Sequence, residues 1–163
     1  SMYMKKYKFA LAGILLLFLT GCGTTKEAAF MNQELEKALV SDNWVFTAQQ
    51  SNPQPPANRG LDAGYELKCE KGKLQSYLPY FGRSFSGTAA YTNQNPLDFK
   101  TTEFTVQRNN GKKGSKVLLI RPGSVKEILE YRLTVFSNGR ATLDVTFNNR
   151  SPMSFSGQLS AIK

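Results

Sequence analysis

The side chains that carry most enzymatic chemistry are scarce in this chain. None of its 163 residues is histidine, so the commonest general base and the commonest metal ligand are both missing. Glu66 and Glu70 are four residues apart, which on a strand separates them by about 13 Å, beyond the roughly 5 to 9.5 Å between the carboxyl groups of a glycosidase. Ser84 lacks both a base and the final glycine of a nucleophile elbow. The sequence therefore disfavours an enzyme, and no metal or cofactor is expected.

Aromatic side chains are concentrated in one stretch, Tyr77-Leu78-Pro79-Tyr80-Phe81-Gly82-Arg83. Its proline cannot continue a central strand, so the stretch must be an edge, a bend or a loop. In one interpretation it is a stacking platform for a sugar ring, peptide or lipid, and the candidate binding residues are Tyr77, Tyr80, Phe81 and Arg83. In the other, Tyr77 and Phe81 turn a sheet corner into the core. Both interpretations stay open at this point.

The first cysteine, Cys22, lies at the end of a targeting signal. Lys5, Lys6 and Lys8 precede an apolar run from Phe9 to Leu19, which as a helix covers about 16 Å of a hydrocarbon core about 30 Å thick. Such a run cannot span a bilayer but is typical of a secretory signal peptide. Leu19-Thr20-Gly21-Cys22 resembles the lipobox of bacterial lipoproteins, in which the cysteine is acylated and the signal is removed. The resemblance implies a signal peptide at residues 1–21 and contact with the lipid bilayer through acylated Cys22; an ordinary signal peptide or a buried helix ending in cysteine is the alternative.

The second cysteine, Cys69, belongs to a predicted hairpin. With Lys71-Gly72 as a two-residue turn, Cys69 faces Leu74 and points inward. Once Cys22 is acylated, Cys69 has no partner for an intramolecular disulfide in an oxidising compartment. We therefore predict a buried, inert thiol, with a reactive thiol as the alternative.

The most informative stretch for the fold extends from Leu129 to Phe147, where two alternating apolar rows meet at a turn. A two-residue loop at Asn138-Gly139 would place Asp144 opposite Leu133, inside an apolar row. A three-residue loop ending in a left-handed Gly139 makes every pair on that face apolar. The predicted pairs are Val135/Ala141, Leu133/Leu143, Tyr131/Val145 and Leu129/Phe147.

The remaining patterns predict the other elements of a single globular domain, residues 22–163. Thr24 and Glu27 fit a capping box, so a helix over about 25–40 is expected, with its apolar face toward the core. Further strands are expected within about 44–160, and we place them over Trp44–Gln49, Phe99–Gln107, Lys116–Arg121 and Pro152–Leu159. The predicted fold class is α+β, with the N-terminal helix packed on a mostly antiparallel, curved β-sheet of six to eight strands; a β-sandwich or small barrel is the alternative.

The charge balance suits an anionic neighbour. Three of the 21 Lys and Arg residues precede Cys22, which leaves 18 against 12 acidic residues in the processed chain. Four of them cluster at a predicted hairpin tip that either contacts envelope phosphates or, as we favour, is solvated and discourages edge pairing: Arg108, Lys112, Lys113 and Lys116. A basic sheet with aromatic residues also suggests a single-strand nucleic-acid binder, but export with a lipid tail removes nucleic acid as a partner.

Several blocks of the chain resemble a known family. They are Leu78-Pro79-Tyr80-Phe81-Gly82-Arg83, Leu133-Thr134-Val135-Phe136-Ser137-Asn138-Gly139, and Asn149-Arg150 with Ser154-Phe155-Ser156-Gly157. These blocks look like the signature of a bacterial lipoprotein family catalogued as domain of unknown function 4251. The resemblance implies a one-domain envelope lipoprotein and supplies no activity, cofactor or catalytic residue. The chain departs from the glycine-rich loop of that family in Thr88-Ala89-Ala90-Tyr91-Thr92.

Two functional hypotheses follow. The first is a non-catalytic structural or interaction module that meets an envelope protein or a glycan through a sheet edge or the aromatic stretch. The second is a small-ligand carrier whose curved sheet encloses an apolar cavity. For both, the expected location is the bacterial cell envelope, lipid-anchored, and the outer membrane facing the periplasm is favoured.

Overall fold

The computed structural model describes residues 31–52, 59–83 and 94–163. Within these ranges the chain forms one α-helix, α1 (Gln33–Ser41), a short 3₁₀ turn (Lys112–Gly114), and ten strands. The strands are β1 (Trp44–Asn52), β2 (Arg59–Gly60), β3 (Glu66–Glu70), β4 (Lys73–Tyr77), β5 (Asp98–Thr101), β6 (Phe104–Asn110), β7 (Lys116–Pro122), β8 (Ile128–Val135), β9 (Arg140–Phe147) and β10 (Met153–Ala161).

The strands form a single antiparallel sheet that nearly closes into a barrel. Nine of them follow the order β5-β4-β3-β1-β10-β9-β8-β7-β6, and the short β2 pairs with β1. The sheet is antiparallel as predicted, but it has more strands than the expected six to eight, and the small-barrel alternative fits it best.

One bent segment joins the two edges of the sheet. Because every neighbouring pair on the nine-strand path is antiparallel, the first strand, β5, and the last, β6, run in the same direction, and only Thr102 and Glu103 separate them. They therefore act as two halves of one strand, the first paired with β4 and the second with β7. The prediction of one continuous strand over Phe99–Gln107 was therefore wrong, because the strand is broken at Thr102 and Glu103. Thr101 Oγ1 holds the break by accepting hydrogen bonds from Glu103 N (3.0 Å) and Ser124 Oγ (2.7 Å).

The register of the β8–β9 hairpin matches the prediction except at its far end. Val135, Leu133 and Tyr131 face Ala141, Leu143 and Val145, and Gly139 has the left-handed φ of +84°. Leu129 does not face Phe147. A bulge between Ile128 and Glu130 turns Ile128 inward against Phe147 and leaves Leu129 47 % exposed. The same shift lets Glu130 accept hydrogen bonds from Arg121 on the outer face, at 2.8 and 3.1 Å.

The helix is shorter than predicted within the described residues. Asn32 is its N-cap: the backbone there is not helical, and Oδ1 accepts a hydrogen bond from Glu34 N (2.9 Å). The predicted helix over 25–40 is therefore not continuous through Asn32, while residues 25–30, with the predicted capping box, lie outside the described residues. The apolar face is directed at the core as expected, with Leu35, Ala38 and Leu39 buried against the sheet.

Two members of the basic hairpin tip hold this helix in place. Arg108 donates to the Leu39 carbonyl oxygen (3.2 Å) and pairs with the Asp42 carboxylate, and Lys116 lies 3.9 Å from Glu36. Both side chains remain more than a third exposed, so the preferred interpretation of a solvated tip agrees with their exposure but did not include these contacts with the helix. Lys112 and Lys113 are exposed, as that interpretation expected.

Large side chains fill the barrel interior. The bulkiest fully buried ones are Trp44, Tyr131, Phe46 and Phe155. Cys69 is also fully buried opposite Leu74, which confirms that the thiol points inward. Gly157 lies between Ala48 of β1 and Ala141 of β9, where the backbones approach closely.

Candidate functional site

The aromatic stretch after β4 forms a rim at the barrel end opposite α1. Its buried members are Leu78 and Pro79, and Leu78 N donates to Leu97 O (3.2 Å). Tyr77 and Phe81 are 46 % and 39 % exposed, so the interpretation that these two rings enter the core was wrong. Arg83 is exposed as well.

Tyr80 ties this rim to the connection between β9 and β10. Its hydroxyl lies 3.1 Å from the carbonyl oxygens of Arg83 and Ser151, and it can donate a hydrogen bond to either of them. Arg83 N donates to Ser151 Oγ (2.7 Å). The Tyr80 ring packs edge-on against Phe147, with centroids 5.2 Å apart, and the Arg150 guanidinium lies 5.3 Å from the Tyr80 centroid. These contacts hold the Tyr80 side chain in one position at the rim.

Two more tyrosines lie together at this rim, Tyr77 exposed and Tyr65 partly buried. Tyr65 and Tyr77 are stacked with centroids 5.4 Å apart and an interplanar angle of 27°. Tyr65 precedes β3, and Tyr77 is the last residue of β4. The hairpin register set by the Lys71-Gly72 turn pairs Glu66 with Tyr77, which brings Tyr77 next to Tyr65. The turn at Lys71-Gly72 was predicted, but the stacking of Tyr65 on Tyr77 was not, and we did not assign Tyr65 to the site.

These rings line an open groove of about 510 Å³, here called the tyrosine groove. Its lining residues are Tyr65, Tyr77, Pro79, Tyr80, Gln94, Asn95, Pro96, Asp98 and Arg150. The structure thus brings together two of the four predicted binding residues, Tyr77 and Tyr80. Phe81 and Arg83 belong to the same rim but not to the groove lining.

Polar groups of the groove divide into fixed and exposed ones. Asn95 is fixed, since Nδ2 donates to Leu78 O (2.6 Å) and Oδ1 accepts from Leu97 N (3.0 Å). Arg150 is also fixed: its side chain is only 8 % exposed and Nε donates to Glu127 (3.1 Å). Gln94 and Asp98 are exposed. The groove therefore offers a rigid aromatic surface beside hydrogen-bonding groups that solvent can reach.

Among the described residues, the two groups with clearly shifted pKa values lie away from the groove lining. Burial, with a smaller contribution from Asp42, raises the pKa of the Cys69 thiol to about 12. Burial also raises the pKa of Tyr131, partly offset by its hydrogen bond with Ser76 (3.0 Å). Ser76 Oγ in turn donates to Leu97 O (2.7 Å). Both groups are neutral parts of the interior at physiological pH.

Cys69 should consequently be unreactive in the folded protein. In a Cys22→Ser chain, where Cys69 is the only thiol, a disulfide reagent is expected to react with less than about a tenth of the protein per hour up to about pH 10, and fully after unfolding. Because the folded pKa is raised, stability from this group is complete below the ordinary thiol pKa of 9.0 and is lost as the pH rises toward about 12. Stoichiometric labelling of the folded chain at neutral pH would contradict this assignment.

The described residues contain no group of three or more Cys, Asp or Glu side chains placed to hold a metal ion. Within the same ranges no helix has the length and apolarity needed to cross a membrane. The candidate lipid attachment residue Cys22 lies outside the described residues.

Comparison with known proteins identifies the family. The family model described as Domain of unknown function (DUF4251) matches residues 26–159. The chain belongs to the DUF4251 family. A solved structure of a DUF4251 family protein from Bacteroides eggerthii is similar, with a TM-score of 0.51 and 16 % sequence identity over 78 % of this chain and 85 % of that one. That similarity supports the fold alone, and a search of curated proteins gives no match. The resemblance to DUF4251 inferred from the sequence is thereby confirmed.

Proposed function

We propose that this protein is a non-catalytic binding module, lipid-anchored through Cys22 in the bacterial cell envelope, whose tyrosine groove takes a surface glycan. The outer membrane facing the periplasm is the proposed location. The Tyr65–Tyr77 stack is the observation that carries the proposal: Tyr77 is 46 % exposed and rests on the partly buried Tyr65, and an exposed aromatic ring held in this way is a surface against which a sugar ring can pack.

The fixed geometry of the groove supports a binding role. The Tyr80 hydroxyl, the Asn95 amide and the Arg150 guanidinium are each held by hydrogen bonds to other parts of the barrel. A preorganised surface loses little side-chain entropy when a ligand binds. Asp98 and Gln94 are available to hydrogen-bond sugar hydroxyls beside the rings. The absence of histidine from the whole chain supports binding rather than catalysis.

The carrier hypothesis has less support. A carrier of this shape would keep its ligand inside the barrel, as small eight-stranded barrels can. Here Trp44, Tyr131 and Phe155 occupy the interior, and each is fully buried. Ligand binding at the outer groove is therefore the function that the geometry supports best.

Substitution of Tyr77 tests the groove. Tyr77→Ala is expected to weaken binding to the glycans retained from an array of bacterial polysaccharides and peptidoglycan fragments by at least about tenfold, because it removes the exposed ring of the stack. Tyr77→Phe should retain most of the binding, since the ring remains. Affinities would be measured by titration calorimetry on the glycans that the array identifies.

Phe136→Ala is the matched control, since Phe136 is 42 % exposed beside the β8–β9 turn and outside the groove. It should leave glycan binding unchanged, and thermal unfolding should verify that each variant is folded. Equal losses in the Tyr77 and Phe136 variants, or an array that retains nothing, would contradict the proposal. A protein captured from envelope extracts through Tyr77 would replace the glycan as the partner.

A further inference from the structure

The barrel end that carries α1, here called the helix end, has an excess of positive charge. Several exposed lysines at this end take part in none of the ion pairs among the described residues, and Lys163, beside the start of α1, is one of them. Four others lie on α1 and at two hairpin tips. These are Lys37 on α1, Lys71 in the β3–β4 turn, and Lys112 and Lys113 at the β6–β7 tip. They are here called the basic face.

Contacts with α1 and with Asn43, just after it, bring these lysines together. Lys71 N donates to Asn43 Oδ1 (3.4 Å), which places the β3–β4 turn beside the end of the helix. Arg108 donates to Leu39 O (3.2 Å), which places the β6–β7 hairpin on the same helix. Two separate hairpin tips therefore present lysines next to one helix.

The acidic groups nearby are mostly neutralised. Asp42 pairs with Arg108, Glu36 lies 3.9 Å from Lys116, and Glu70 lies 3.8 Å from Lys68. Glu34 is the exposed acid on α1 outside these ion pairs. The groove end differs, because its exposed charges have both signs, Asp62 and Asp98 with Arg83 and Lys126.

Exposed apolar side chains accompany the basic face. Val40 on α1 is 73 % exposed, and Phe136 beside the β8–β9 turn is 42 % exposed. That turn also lies at the helix end, since a side chain added at Gly139 would lie 3.8 Å from Leu35 of α1. Lysines beside exposed apolar residues are the combination that peripheral proteins use at lipid headgroups.

We propose that the helix end is a docking face for anionic phospholipid headgroups of the bilayer. The basic face supplies the attraction to lipid phosphates, and Val40 and Phe136 supply apolar contact. The proposal rests on the proposed lipid anchor for orientation, because α1 begins at Gln33, shortly after Cys22 in the chain. It places the tyrosine groove on the side of the barrel that faces away from the membrane.

Vesicle binding tests this docking face without the lipid anchor. The processed chain, residues 22–163 with Cys22→Ser, is expected to bind phosphatidylcholine vesicles containing about 30 % phosphatidylglycerol at least about tenfold more tightly than pure phosphatidylcholine vesicles. Raising the salt to about 0.5 M should abolish the difference. The combined variant Lys71→Gln, Lys112→Gln and Lys113→Gln should lose at least about tenfold of the anionic-vesicle binding.

The control removes the same charge elsewhere, in the combined variant Arg83→Gln, Lys100→Gln and Lys126→Gln, three exposed residues outside every ion pair of the described chain. It should keep vesicle binding within about threefold of the parent. Equal losses in the two triple variants would mean that net charge alone drives binding and would overturn the proposal, as would equal binding to both vesicle types. Failure of acylation at Cys22 would leave this result intact, so the two proposals fail separately.

Discussion

Gly157→Ala is expected to cost about 3 kcal/mol or more of unfolding free energy and to abolish the native pairing of β1 with β10. A Cβ at position 157 would lie 1.9 Å from Thr47 O, 2.9 Å from Thr47 C and 3.1 Å from Ala48 Cα. All three are backbone atoms, which cannot rotate away as a flexible side chain could. β1 and β10, the first and last of the described strands, would then have to separate.

Gly123→Ala provides the matched control. A Cβ there would meet only Glu103 O, at 3.8 Å, an ordinary van der Waals contact. Its unfolding free energy should remain within about 0.5 kcal/mol of the parent. Urea unfolding followed by Trp44 fluorescence would measure both variants, because Trp44 is the only tryptophan and is fully buried. If Gly157→Ala fails to accumulate, its soluble yield would be compared with that of Gly123→Ala. Equal unfolding free energies or equal yields for the two variants would refute the close approach of the β1 backbone to position 157.

The hairpins could be predicted because burial decided their registers locally. Placing Asp144 outside the barrel left only one pairing of β8 with β9, and the structure has Asp144 exposed, accepting a hydrogen bond from Ser154 Oγ (2.7 Å). The bulge at Leu129 escaped prediction because it depends on a neighbour. Glu130 turns outward to meet Arg121 of the adjacent strand β7, which lies outside the β8–β9 hairpin from which the register was predicted.

The closure of the barrel was less accessible from the sequence. The bent strand keeps a period of two on each side of its break, with Phe99 and Thr101 before it and Phe104 and Val106 after it. The step from Thr101 to Phe104 shifts that period and was a usable signal of the break. The exchange of partner from β4 to β7 follows from the curvature of the whole sheet, which no short segment determines.

The candidate site could be predicted only where local residues determine it. The proline placed the aromatic stretch at a rim, and Tyr77 and Tyr80 do line the groove. Which rings would be exposed depended on distant residues. Tyr80 is held by Ser151 and Arg150 on the β9–β10 connection, and these residues are far from it in the chain.

The two proposed surfaces lie at opposite ends of the barrel. β3 and β4 run from the Lys71 turn beside α1 to the Tyr65–Tyr77 stack. The length of these two strands therefore separates the basic face from the groove. An anchor that enters at α1 would leave the groove directed away from the bilayer. A glycan-binding surface requires this arrangement, because polymers of the envelope lie beyond the lipid headgroups.

Cys22→Ser is expected to remove the protein from the membrane fraction almost completely. Acyl chains on this residue would contribute about 0.8 kcal/mol for each buried CH₂ group, which makes an anchor with several chains effectively permanent. The expected parent protein carries a labelled fatty acid on Cys22, detectable by metabolic labelling and by mass spectrometry of membrane-extracted protein. The variant should carry none.

Cys69→Ala serves as the control, because Cys69 is fully buried and should carry no lipid. It should keep both the label and the membrane location. The lysines of the basic face bind reversibly and are screened by salt, so residual Cys22→Ser protein on membranes should be released by about 0.5 M salt, whereas the parent should resist it. An unmodified Cys22 sulfur in parent protein extracted from membranes would exclude the anchor, and salt-resistant retention of Cys22→Ser would show that something other than this thiol holds the barrel at the bilayer.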